Sequence, residues 1–250
     1  MNTAKIIDYN LYHIKGGKKS AQLRKDGKRK RTTSNKPDGV SSEVYAFRNA
    51  DEIKRIIEVL NYKIENSYGK QEKQIARRNK LLFILGMNLG IRASDIRELR
   101  WEFFFDDDGE FRRFYSIKPT KTKKTGKYVK LFFNNAVKIA IKEYINNYPV
   151  NNMEDHIFVS REGKPITVQT MWNVIKGTAK EAGIKQNVGS HSLRKTWGYW
   201  VWHEAEDKNR MLVLLQQCFG HSSTVVTMKY IGISDNDIED VYMSINLGCG

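Results

Sequence analysis

Apolar residues along this 250-residue chain recur mostly at helical spacing, with one interval of short, strand-like runs. Asn49 followed three residues later by Glu52 is a helix-capping signal, and Ile53, Ile56, Ile57, Leu60 and Ile64 then share one face, which predicts a first helix over 50–66. After a break at Ser67–Gly69, Ile75, Asn79, Leu82, Phe83 and Met87 form a second helical stripe, closed by Gly86 and Gly90. A short helix is predicted over 93–100. Trp101–Phe105, Phe111–Lys118 and Tyr128–Phe133 are aromatic-rich runs around turns at Asp108-Gly109 and Gly126, so they read as three strands of an antiparallel meander. Asn134 caps a helix running to Tyr148, Ile157–Val159 is a brief extended piece, and 167–182 is a helix ended by Gly183. Further helices are predicted over 191–204, 208–219, 223–230 and, capped by Ser234, 235–246. The expected fold class is therefore α+β and mainly helical, with a small three-stranded antiparallel sheet.

Composition and charge narrow the possibilities. With 40% hydrophobic residues the chain can build a packed core, which excludes wholesale disorder and collagen. No run approaches the roughly 18 consecutive apolar residues of a membrane span, and the first residues hold no apolar signal core, so a cytoplasmic protein with no membrane partner is expected. Cys218 and Cys249 make neither a disulfide framework nor a zinc spacing. The formal net charge is +15, and residues 1–40 hold eleven Lys or Arg against three Asp, a local balance of +8. Gly16–Gly39 has no helical or strand period and little to bury. Residues 1–41 are accordingly expected to be a basic flexible arm ahead of a folded domain over 42–250. Such an arm can release counterions on binding nucleic acid, or simply aid solubility.

Three short segments carry candidate chemistry: Gly90-Ile91-Arg92-Ala93-Ser94-Asp95, His191-Ser192-Leu193-Arg194, and Gly220-His221 with Tyr230 nine residues after the histidine. Each alone is unremarkable, since an isolated Arg is usually a surface residue and a lone His or Tyr is usually structural. Together they form the set that phosphodiester transesterification requires. A phosphate passing through a pentacoordinate state gathers negative charge on its non-bridging oxygens, and guanidinium forks meet that charge bidentately. A metal site from His191, His203, Cys218 and His221 lacks the close ligand pairs of zinc sites, and is not expected.

The order and spacing of these segments resemble the catalytic domain of the tyrosine recombinase (phage integrase) family over Ser42 to Leu247. The resemblance implies Arg92 and Arg194 as a phosphate clamp, His191 and His221 as donors or proton handlers, and Tyr230 as the nucleophile, with Asp95 bracing the arginine region. It also implies a lysine in the turn between the second and third strands as general acid to the leaving 5′ oxygen. Within Lys118–Lys127, counting from both strands favours Lys121, with Lys124 as the alternative. Tyr230 would attack the scissile phosphate, expel the 5′ hydroxyl and form a 3′ phosphotyrosyl link that another strand's 5′ hydroxyl resolves, without cofactor, metal or ATP. His191 is the favoured base. Double-stranded DNA is the implied partner, and a homotetramer on paired sites the implied assembly. Type IB topoisomerase-like relaxation and non-catalytic DNA binding are the rival readings.

Two local departures from the family pattern are expected to touch no reacting group: a longer interval between Arg194 and His221, and Phe219 where leucine is commoner. Relatives carry a helical DNA-binding domain ahead of the catalytic one, where this chain has its basic arm, so it is expected to be a minimal protein or a fragment. Trp197, Trp200 and Val201 share a helix face and read as core. Ile238, Val241, Tyr242 and Ile245 form a last apolar stripe that must dock on its own domain or on a neighbouring protomer.

Overall fold

The computed structural model describes residues 43–120, 128–233 and 243–244. The first helix, α1 (Ala50–Glu65), begins where the capping signal stands: the Asn49 side chain accepts from the Asp51 amide at 2.8 Å. Glu52 does not complete a capping box; it is buried and its carboxylate accepts from the Tyr45 hydroxyl at 3.1 Å. Ile56, Leu60 and Ile64 are buried, with Ile53 and Ile57 packed beside them.

The second helix, α2 (Gly69–Leu89), is the centre of the domain and packs against α1, α4 (Asn135–Asn147) and α6 (Ser192–His203). Its single expected stripe is therefore an undercount. Leu81, Leu85 and Leu89 are buried on one side and Phe83 on another, because a helix surrounded by neighbours buries several faces. Gly86 allows the α6 approach: a Cβ there would lie 2.5 Å from Leu193 Cδ1.

After α3 (Ala93–Arg97), the structure corrects the sequence expectation. Trp101–Phe105 is not a strand. Trp101–Phe103 is a 3₁₀ turn, which places Trp101 and Phe104 three residues apart and both in the core. Phe103 stacks on Tyr115 with ring centroids 4.4 Å apart, and Phe105 pairs with Phe111 as a lone bridge. An aromatic-rich run satisfies either geometry, and packing chose the turn. Among the described residues the sheet is two-stranded rather than three-stranded, β1 (Phe114–Ile117) against β2 (Val129–Phe132), antiparallel with Phe114 opposite Phe132. Tyr115, Ile117, Val129 and Leu131 face inward, and Phe114, Ser116, Lys130 and Phe132 are exposed.

The later helices follow their caps. Asn134 caps α4 through the Val137 amide, and Thr167 caps α5 (Val168–Glu181) through the Thr170 amide. Between them, the expected extended piece at Ile157–Val159 is not a strand: Ile157 and Phe158 form a bend between two lone bridges, His156 to Arg100 and Val159 to Pro165. Asp207 caps α7 (Lys208–Phe219) and Ser223 caps α8 (Thr224–Ile231). Most of the predicted 235–246 helix lies outside the described residues. Among the described residues no helix is long and apolar enough to cross a membrane.

The core falls into three clusters. One joins α2, α3, the sheet and α4; a second joins α1, α2, α5 and Leu193; the third packs α6, α7 and α8 around Leu212, Leu215, Phe219 and Ile231. Trp197 and Val201 pack against the third cluster as expected, whereas Trp200 donates its indole N–H to the Phe47 carbonyl at 2.8 Å.

Close packing at Gly198 yields a test. A Cβ there would stand 2.5 Å from Phe219 Cζ and 2.8 Å from Ile231 Cγ2, both buried. Gly198→Ala should therefore lose about 1–3 kcal/mol of stability through overpacking, although alanine is the better helix former by about 1 kcal/mol. Gly177→Ala in α5 meets nothing within 4 Å and should gain roughly 0.5–1 kcal/mol. Urea midpoints of the two variants should move in opposite directions.

Candidate active site

The site is assembled from helix ends. Gly90 closes α2 in the left-handed region at φ 61°, and a Cβ there would overlap the Trp197 ring. The chain then turns so that Arg92, extended, opens α3. Gly220 closes α7 at φ 69°, with the Gly220 and His221 amides donating back to the Gln217 and Gln216 carbonyls at 3.2 and 3.0 Å. This double closure leaves the Phe219 carbonyl to other donors.

Both arginines take it up. Arg92 Nη2 lies 3.5 Å and Arg194 Nη2 3.4 Å from the Phe219 oxygen, and Arg194 Nη1 donates to the Gly90 oxygen at 2.6 Å. Arg194, in the first turn of α6, is buried, and burial holds its pKa below the usual arginine value. The Arg92 charge lowers it further, while Tyr230 and Asp95 oppose the shift. Asp95 is itself buried and accepts from the Thr120 amide at 2.8 Å. It thus holds the backbone at Thr120 while its charge acts on Arg194. Lys121 and Lys124 lie outside the described residues.

Tyr230, half-buried on the last turn of α8, brings its hydroxyl to 3.3 Å from His191 Nδ1. Burial raises its pKa, and the Arg194 and Arg92 charges, with hydrogen bonding to Arg194, act the other way. Its ring meets that of His221 with centroids 4.9 Å apart. His221 Nδ1 is 3.1 Å from the hydroxyl of buried Thr227, whose own proton can go to the Ser223 carbonyl 3.3 Å away. Burial, followed by the Arg194 and Arg92 charges, lowers the His221 pKa. Arg92, His191, Arg194, His221 and Tyr230, far apart in the chain, therefore meet in one place.

Phe219, expected to lie apart from the reacting groups, touches three of the candidate residues. Its ring lies under the Arg194 guanidinium, 4.6 Å from centroid to Cζ, and packs on His221 at 5.2 Å and Tyr230 at 5.0 Å between centroids. Sequence reasoning missed this floor, and it also missed Thr227, because both look like ordinary helix residues. Among the described residues no group of three or more His, Cys, Asp or Glu side chains could hold a metal ion.

A helical domain in which two arginines, two histidines and a tyrosine converge in this way carries the residue set expected of the tyrosine recombinase and integrase class. Residues 47–237 match the phage integrase family, and the chain belongs to that family. It is 31% identical over 167 residues to the probable integrase/recombinase YoeC of Bacillus subtilis, covering 66% of this chain and 83% of that one. It is 25% identical over 194 residues to the tyrosine recombinase XerD of Oceanobacillus iheyensis, covering 78% of this chain and 60% of XerD. The fold is similar to that of the XerH site-specific recombinase bound to a palindromic difH substrate in a post-cleavage complex, with a TM-score of 0.59 at 18% identity over 88% of this chain and 58% of XerH.

The depressed His221 pKa has a thermodynamic consequence. The unfolded chain binds this proton at the ordinary imidazole value of 6.5, and the folded chain only at lower pH. Below about pH 6.5 the unfolded state therefore gains protons first, and stability falls until the folded pKa is passed. His221→Asn should flatten this part of the curve of unfolding free energy against pH. An unchanged slope in urea titrations between about pH 7.5 and pH 5 would contradict the assigned environment.

Proposed function

We propose that this protein is a site-specific DNA recombinase that cuts and rejoins duplex DNA through a 3′ phosphotyrosyl intermediate, integrating, excising or resolving a mobile element. The observation that carries the reading is the Tyr230 hydroxyl, 3.3 Å from His191 Nδ1 and within the field of both guanidinia. A phosphate seated on Arg92 and Arg194 would place its phosphorus beside a nucleophile and a base at once. The raised Tyr230 pKa keeps the phenol protonated at neutral pH, so His191 would take its proton as the new oxygen–phosphorus bond forms. The bond to the 5′ oxygen breaks in the same step, and Lys121 or Lys124 protonates that leaving oxygen. The bond energy is kept in the phosphotyrosine, so the incoming 5′ hydroxyl of another strand can restore the phosphodiester without ATP.

Arg92 and Arg194 would stabilise the charge that grows on the non-bridging oxygens, with His221 as a further donor. The Thr120–Asp95 hydrogen bond favours Lys121, whose neighbouring amide is anchored at the site. Residues 1–41 would act as a basic arm on the phosphate backbone and 42–250 as the catalytic domain. Two such steps on each of two duplexes call for four protomers, and the setting for DNA work of this kind is the cytoplasm.

The test uses nicked duplexes tiling the DNA on either side of the protein's own gene. Wild type should form a denaturant-resistant protein–DNA complex, and Tyr230→Phe should form none while binding DNA with nearly unchanged affinity. Covalent trapping by Tyr230→Phe would refute the nucleophile. Arg194→Lys should slow trapping about 100-fold, since an ammonium cannot hold the Gly90 carbonyl, the Phe219 carbonyl and a phosphate together. Lys121→Ala should be rescued by a 5′-thio leaving group, which needs no proton; rescue of Lys124→Ala instead would move the general acid. Deleting residues 1–41 should weaken binding to all DNA and reduce its salt dependence. Strand-exchanged products would separate recombination from simple relaxation.

A further inference from the structure

Before α1 begins, residues 43–49 run along α6 as a strap. The Tyr45 amide donates to the Asn187 carbonyl at 2.7 Å, the Asn187 side chain donates to the Glu43 carbonyl at 3.1 Å, and the Phe47 amide donates to Thr196 Oγ1 at 2.9 Å. Phe47 is fully buried, and its carbonyl accepts from Trp200. The strap is thus fixed to the helix that carries Arg194.

Two side chains reach from it toward Tyr230. Arg48 Nη1 donates to the Gly232 carbonyl at 2.7 Å, with its guanidinium 5.7 Å from the Tyr199 ring centroid. Gly232 ends α8, two residues beyond Tyr230. Glu43 Oε1 accepts from Lys195 Nζ at 2.6 Å. The Lys195 side chain is only 6% exposed, and its ammonium lies 5.4 Å from the Tyr230 ring centroid.

These contacts bear on a weak point. The α8 helix has eight residues, too few to be stable alone, and Tyr230 sits in its last turn, where carbonyls have no partner within the helix. The Arg48 guanidinium caps the chain just past that end and complements its partial negative charge. Displacing a reacting group by about 1 Å can cost on the order of 100-fold in rate, so the hold on this turn bears directly on where the phenol stands.

We propose that the strap Glu43–Arg48 positions the nucleophile: Arg48 clamps the end of α8, and Glu43 holds Lys195 against the face of the Tyr230 ring. Both are positioning residues, and the proposal rests on Tyr230 being the nucleophile. Arg48 is engaged with the Gly232 carbonyl and Glu43 with Lys195, so the expected defect is in the chemical step rather than in DNA affinity.

The test is single-turnover covalent trapping by the full chain on the same tiled, nicked duplexes, with DNA affinity and urea midpoint measured alongside. Arg48→Met keeps an apolar stem and removes the guanidinium; it should slow trapping about tenfold, within the cost of a small displacement, and leave DNA affinity within about twofold. Arg48→Lys, which can still donate to the Gly232 carbonyl, should recover most of the rate, a recovery that a mere packing role does not predict. Glu43→Gln changes an exposed carboxylate and leaves an oxygen for Lys195, so it should fold even if Arg48→Met does not, and it should slow trapping roughly threefold through a smaller displacement. Wild-type trapping by Arg48→Met overturns the clamp, wild-type trapping by Glu43→Gln overturns the second tether, and a loss of rate that only follows lost DNA affinity overturns both. If instead wild type traps nothing, or Tyr230→Phe traps normally, it is the recombinase reading that fails.

Discussion

The rest of the site depends on where two guanidinium groups find their acceptors. Arg194 is buried and must be hydrogen-bonded to be tolerated there, and its partners are the carbonyls of Gly90 and Phe219, at the ends of α2 and α7. Arg92 shares the Phe219 carbonyl. Helix C-termini carry partial negative charge, so two of them directed at one place offset part of the cost of keeping two like charges together. Burial first, and the neighbouring arginine charges after it, hold the pKa values of Arg194 and His221 down. A pocket left with positive charge to spare is already organised for an anion before one arrives.

Glycine makes this arrangement possible. At Gly90 a side chain would meet both a left-handed backbone and the Trp197 ring, so the residue that ends α2 also lets α6 bring Arg194 close. At Gly220 the same backbone region turns the chain from α7 to His221, and frees the Phe219 carbonyl that both arginines share. Clamp and packing are thus one construction. The Phe219 ring, packed on Trp197 at 5.6 Å between centroids, is a common floor for Arg194, His221 and Tyr230.

Much of this was legible in the chain. Asn49 and Asn134 at helix starts, and Gly90 and Gly183 at helix ends, marked boundaries within a residue or two, because capping is local chemistry. The segments bearing Arg92, Arg194, His221 and Tyr230 were legible only as a set, through the order and spacing that resemble the tyrosine recombinase family, since each alone is unremarkable. What escaped was decided by tertiary contact. Trp101–Phe105 presents aromatics to either geometry, and burial of Trp101 together with Phe104 selects the turn. The several buried faces of α2 depend on three neighbours that no single stripe reveals. Arg48 and Glu43 reach partners at Gly232 and Lys195, more than 140 positions away in sequence, through side chains that in isolation look like solvated charges.

Asp95 shows how such long-range contacts tie parts of a site together. Expected only to brace the arginines, it is buried, accepts from the Thr120 amide and contributes its charge to the field at Arg194. One carboxylate therefore faces both Arg194 and Thr120, the last described residue before the lysine-rich segment. Removing it would leave two guanidinia less compensated and a backbone amide without its acceptor, two defects from one substitution. Its value lies in that double attachment, since the arginines and the segment that leads into the lysines belong to different elements and are joined through this one side chain.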